Sequence, residues 1–73
     1  MSRAEEWRGG WDRAGRAALS LQGALRGIGA PEGTVVRVRP VLSGRGTPWV
    51  EVGMIPASLA EAVAEVLRKG ADG

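Results

Sequence analysis

The chain has 73 residues, 44% of them hydrophobic, with ten Lys and Arg against eight Asp and Glu and no His, Cys, Tyr or Phe. A chain this short buries only about 60% of its unfolded surface, which excludes a two-lobed enzyme built around a cleft. Without His and Cys there are no zinc or iron–sulfur sites, disulfide frameworks, Ser–His triads or thiol nucleophiles.

The first predicted element is a helix. Trp7, Trp11, Ala14, Ala18, Leu21, Leu25 and Ile28 recur at alternating four- and three-residue steps and form one apolar stripe. Ser2 and Glu5 have capping-box spacing, but Gly9 and Gly10 each cost about 1 kcal/mol relative to Ala inside a helix. The expectation is a firm helix over about 11–27 with a frayed start from residue 3, stopped by the Gly27–Pro31 run. Gly9, Ser20, Gly23, Ala24 and Gly27 make a strip of small residues on it, a second surface for a mate.

A β-branched stretch follows and predicts a strand over 34–41, with Val36 and Val38 on one face and Arg37 and Arg39 on the other. Pro40 cannot donate to a ladder, so this strand ends there or lies on an edge. Ser43–Pro48 is a turn cluster. A second strand is predicted over 49–55, with Val50, Val52 and Met54 on one face and Trp49, Glu51, Gly53 and Ile55 on the other. Two such runs around a short Gly-containing loop form a hairpin.

The last predicted element is a helix over 58–69. Ser58 and Glu61 have capping-box spacing, and Leu59, Ala62, Val63, Val66 and Leu67 give an apolar face. Arg68 and Lys69 suit the negative end of the helix dipole, and Gly70 begins a tail over 70–73.

The fold class read from this order is α+β. It is a single small α-β-β-α domain over 1–73, its two helices packed on one face of an antiparallel hairpin. Eleven of the apolar residues are Ala, leaving 21 larger ones. A single core of this size rarely supplies more than about 3–5 kcal/mol without a disulfide, a metal or oligomerisation. Disulfides and metals being excluded, self-association is expected. Open strand edges invite pairing, so a homodimer with a four-stranded sheet across its interface is the expected architecture.

The chemistry-bearing patterns are few. Gly27, Gly29 and Gly33 follow a helix rather than a strand and miss the dinucleotide spacing, and the Gly44–Thr47 segment lacks the Lys of a P-loop. Glu61 and Glu65 share a helix face without any sign of a pocket, which general acid–base work requires. Ser20, Ser43 and Ser58 have no His as a base. The expectation is a protein that is not an enzyme and has no cofactor, metal or small-molecule substrate.

The candidate partner-binding residues are Trp7, Trp11, Arg37, Arg39, Arg45 and Trp49. Trp7 and Trp11 lie one turn apart and read either as core or as anchors for a partner, since Trp is enriched at binding hot spots. Arg37, Arg39 and Arg45 give the hairpin a basic surface suited to carboxylate or phosphate. Glu51 on the facing strand is placed to neutralise one of them. Residues 1–49 carry a balance of +4 and residues 50–73 one of −2. The functional expectation is a homodimeric interaction module that binds a protein partner. The alternative is a small DNA- or RNA-binding regulator that inserts the arginine hairpin into a groove and stacks Trp49 on a base. Acids near the start argue against a secretory signal, no apolar run approaches the roughly 20 residues of a membrane span, and the lack of Cys suits the cytoplasm.

The helix–hairpin–helix order resembles that of the small N-terminal docking domains of polyketide and peptide assembly-line enzymes. The resemblance covers most of the chain, in element order alone. It implies dimerisation and capture of a partner's tail on the hairpin and its charged surface.

Overall fold

The computed structural model describes residues 3–72. Helix α1 (Arg3–Gly27) is unbroken, about 37 Å long at about 1.5 Å per residue. Its stripe buries Ala14, Ala18 and Leu25 and packs Leu21 against the same core. The fraying expected at Gly9–Gly10 does not occur. A methyl group added at Gly10 would run into the Gly46 carbonyl oxygen and sit 3.0 Å from the Leu42 side chain. Gly10 therefore lets the hairpin loop rest directly on the helix backbone, and this contact offsets glycine's poor helix propensity. The capping expectation for Ser2 falls outside the described residues. At the far end the Ala30 amide donates to the Leu25 carbonyl and the Gly29 amide to the Arg26 carbonyl, both at 3.0 Å. This is the Schellman arrangement that satisfies the last carbonyls of a helix.

The segment expected as strand 34–41 divides in two. Its first part continues from a short helix, α2 (Glu32–Val35), with Pro31 at the N-cap. The Thr34 and Val35 amides both donate to the Pro31 carbonyl, and the coil continues through Arg37 to Thr34 and Val38 to Val35. Coiling brings Val35 and Val38, three residues apart, to the same side, where they are 0% and 1% exposed, while Val36 turns outward at 62%. A strand would have hidden Val36 with Val38. The β-branched composition favours a strand locally. Burial of the Val35–Val38 pair and an acid in the first turn favour the helical turn, and they prevail.

The hairpin is β1 (Arg39–Leu42) and β2 (Pro48–Glu51), paired antiparallel with Arg39 opposite Glu51, Pro40 opposite Val50, Val41 opposite Trp49 and Leu42 opposite Pro48. The loop is closed by the Gly46 amide to the Ser43 carbonyl at 2.9 Å and the Ser43 amide to the Thr47 carbonyl at 3.0 Å. Ser43 Oγ also accepts from the Arg45 and Thr47 amides, and Gly46 takes a φ of 78°. This is a three-residue hairpin loop with a left-handed last residue. Bonded and non-bonded pairs alternate along such a ladder. Counting from Ser43–Thr47, Pro40 and Pro48 therefore fall where an amide would point away from the other strand, so neither removes a ladder bond.

The second strand is shorter than the expected 49–55. Gly53 adopts a φ of 74°, a conformation that costs other residues about 1–2 kcal/mol, and there the chain leaves the strand. Val50 and Val52 face the core as expected, but the turn resets the alternation. Met54 is 84% exposed, and Ile55 packs against the core in its place.

Helix α3 (Ala57–Asp72) runs beyond the expected 58–69, passing through Gly70. The Ala60 amide donates to the Pro56 carbonyl at 3.0 Å, so Ser58 lies inside the first turn and not at the cap. Only α1 lies closely along the hairpin. No Cα of α3 comes within 8 Å of a Cα of another element, and the helix is attached through Leu59, 6% exposed, with Val63 beside it. The chain is thus α+β, of order α-α-β-β-α, with one helix rather than two against the hairpin face. The radius of gyration is 14.4 Å, against about 11 Å for a compact domain of this length. The accessible surface is 5453 Å², where a compact protein of 7.6 kDa has about 4,300 Å².

Candidate functional site

The Trp stripe of α1 continues past the core towards the hairpin loop. Trp7 lies with its indole against Gly46, about 3.7 Å from where a side chain there would begin, and remains 39% exposed, while Trp11 is 54% exposed. Together with Arg8 and Leu42 they line an open groove of about 470 Å³. Neither Trp is buried, although the hairpin loop reaches the edge of Trp7 through Gly46. Arg8 makes no ion pair with a described residue. The groove therefore offers two indole faces and an aliphatic floor beside the Arg8 guanidinium.

The remaining candidates are scattered. Arg45 sits in the hairpin loop next to Gly46, at the same end of the molecule as Trp7, with no ion pair to a described carboxylate. Arg39 and Arg37 stand at the opposite end of the hairpin. Arg39 Nη2 reaches the Glu51 carboxylate at 3.2 and 3.3 Å, the cross-strand neutralisation expected from the sequence. Arg37 shares a shallow surface with Val36, Glu51 and Met54. Trp49 is 61% exposed and, opposite Val41, belongs to the same sheet face as Arg39 and Glu51. The six residues thus form no single patch. Trp7, Trp11 and the Arg45 loop are brought together, and Arg37, Arg39 and Trp49 lie elsewhere.

Arg8 and Leu42 were not among the sequence candidates. Arg8 follows Trp7 directly and was legible as a neighbour, whereas Leu42 joins the groove only because the hairpin folds back onto Gly10. An ion pair made through two hydrogen bonds lies away from the groove. Arg26 donates to Glu32 through Nε at 3.2 Å and Nη2 at 2.7 Å, tying the end of α1 to α2. This hydrogen bond, with the guanidinium charge behind it, holds the Glu32 carboxyl below its ordinary range and raises Arg26 above its own. Both groups are exposed, which keeps the stabilisation small.

Among the described residues no group of three or more His, Cys, Asp and Glu is placed to hold a metal ion, and no helix is long and apolar enough to cross a membrane. No protein-family model, curated protein or solved structure matches the chain.

Proposed function

We propose that the chain is a non-enzymatic cytoplasmic interaction module, a homodimer that captures a protein segment in the groove between α1 and the hairpin loop. The observation that carries this is the pair of half-open indoles, Trp7 and Trp11, over Leu42 and beside Arg8, which makes no ion pair with a described residue. Rigid aromatic faces flanked by Arg are the composition of binding hot spots. The segment that fits has an apolar side chain for the indoles and a carboxylate for the guanidinium. Arg45, in the loop next to Gly46, adds positive charge at the same end.

The homodimer belongs to the same proposal. A four-stranded sheet made by joining hairpin edges is one form of it. Within the paired strands, however, each outward edge offers a single amide, Leu42 on β1 and Val50 on β2. Pro40 and Pro48 occupy the alternate positions, and proline at such positions is a device that blocks edge pairing.

The test is selection from a displayed random-peptide library on the immobilised protein. Selected peptides are expected to place Leu, Ile or Phe beside Asp or Glu, and Trp11→Ala to weaken them about tenfold or more with an unchanged circular dichroism spectrum. Peptides that bind Trp11→Ala equally well overturn the groove. Tight binding of generic duplex DNA at low salt, falling steeply as salt rises, replaces the reading with a nucleic-acid one centred on Arg37 and Arg45.

A further inference from the structure

The outer edge of β2 borders a groove that the hairpin does not fill. Pro48, Trp49 and Val50 line one side of it and Arg13, Ala14 and Ala17 of α1 the other, around an open volume of about 290 Å³. Among the described residues β2 pairs with β1 alone. The ladder turns the bonded pairs Val41–Trp49 and Arg39–Glu51 inward, which leaves the Val50 amide, the Val50 carbonyl and the Pro48 carbonyl on the free edge. Pro48 and Val50 are half-buried, with their side chains on the face towards α1.

We propose that this edge takes up an extended peptide as a third, antiparallel strand, with an apolar side chain at Ala17 and, two residues later in the peptide, a carboxylate at Arg13. In strand addition the main chain supplies affinity, and alternate side chains supply specificity. A third strand also supports a hairpin that is marginal as a pair. The site is separate from the Trp groove, which is built on Leu42 of β1.

Register writes the peptide's pattern. The residue opposite Val50 donates to its carbonyl, accepts from its amide and shares its face. Its side chain turns towards α1, where Ala14 and Ala17 leave space for Val or Ile. Two residues further along an antiparallel strand comes the residue opposite Pro48, which turns the same way. Pro48 has no amide to give, but its carbonyl still accepts. Arg13 stands about one turn on from Gly10, against which the Gly46 carbonyl rests, and so lies at the Pro48 end of the groove. Charge selects the occupant. Arg13 is exposed and makes no ion pair with a described residue, and the neighbouring Asp12 is held by Arg16. The acid must therefore come with the added strand. A second copy's hairpin has none to offer: its one acid, Glu51, pairs with Arg39, and both its edges bring proline.

Selection from a displayed random-peptide library on immobilised Trp11→Ala protein tests the edge, because that bait lacks an indole of the other groove. Selected peptides are expected to share Val or Ile followed two residues later by Asp or Glu. A synthetic copy added to isotope-labelled protein is expected to shift the Val50 amide resonance and to slow that amide's hydrogen exchange. N-methylation of the peptide's apolar residue removes the donor to the Val50 carbonyl and is expected to weaken binding about tenfold. N-methylation of the next residue, whose amide points away from β2, leaves binding unchanged.

Arg13→Gln, at an exposed position, is expected to weaken the peptide about fivefold, on the order of an exposed ion pair. Arg13→Glu is expected to prefer the peptide in which Lys replaces the acid. Failure to select any peptide, equal binding by the two N-methyl forms, or indifference to both Arg13 substitutions overturns the edge site. A Val50 amide already protected in the free protein, and losing that protection on dilution, puts a second copy on the edge and overturns the peptide as its occupant. Capture in the Trp groove is read at Trp11 in the wild type, so its failure leaves these outcomes as they stand.

Discussion

Gly10 is where a residue that weakens a helix holds the fold together. Its missing side chain is the space in which the Gly46 carbonyl and Leu42 lie, and Leu42 lines the Trp groove. Gly9, one residue earlier, has no atom within 4 Å of where a methyl would stand. The pair separates propensity from packing. Gly9→Ala is expected to stabilise by about 0.5–1 kcal/mol. Gly10→Ala is expected to destabilise by about 1–3 kcal/mol, because overpacking against backbone exceeds the propensity gain. Urea unfolding followed by circular dichroism reads both, and equal stabilisation by the two substitutions would remove the close approach. From the sequence the two glycines are indistinguishable, since a backbone contact between residues 36 positions apart leaves no local pattern.

At the scale of elements, periodicity served the helices well and the hairpin only in part. The α1 stripe and the α3 face are long enough for their period to dominate, and both helices lie where expected, extended at their ends. The stretch from Thr34 to Val38 is too short for period to decide. Val36–Val38 spacing reads as a strand and Val35–Val38 spacing as a helical turn, and only the position of the core chooses between them. The choice is measurable. Val35→Ala is expected to cost about 2 kcal/mol, as deletion of a fully buried side chain does, whereas Val36→Lys stays within about 0.5 kcal/mol, as surface changes do. A strand over 34–41 would reverse the order. Gly53 is a parallel case. Its positive φ moves Met54 out and Ile55 in, against the alternation of an unbroken strand.

The whole molecule is open for its size, and its charge lies on its surface. Thr34 is the only buried polar or charged side chain among the described residues, and the chain has no His. Folding stability is therefore expected to be flat from about pH 6 to 9, the range in which His would otherwise titrate. Glu32 shapes the acid side. Arg26 lowers its folded pKa, so its contribution is fully present above the unfolded value of about 4.3 and is lost as pH falls through the lowered folded value. Thermal unfolding against pH is expected to show a small acid decline that Arg26→Gln reduces, and an equal decline in that variant would detach it from the pair. Openness on this scale also bears on the proposed function. Exposed apolar side chains lie on the Trp groove at one end of α1 and on the α1–α3 groove at the other, and also at Leu19, Val36, Trp49 and Met54.

By itself the sequence determined the α+β class, the two long helices and the hairpin between them, because amphipathic period and turn residues act over a few positions. It also set Glu51 against one of the two arginines, Arg37 or Arg39, and the register of the hairpin chose Arg39. The tertiary structure decided that Thr34–Val38 coils, that Gly10 is a contact, and that Trp7 and Trp11 stand half open rather than buried. It further decided that α3 hangs by its first half. Each of these depends on how much core a distant segment supplies. In a chain with 21 large apolar residues that core ends before the apolar stripes do, and the ends of the stripes stay exposed.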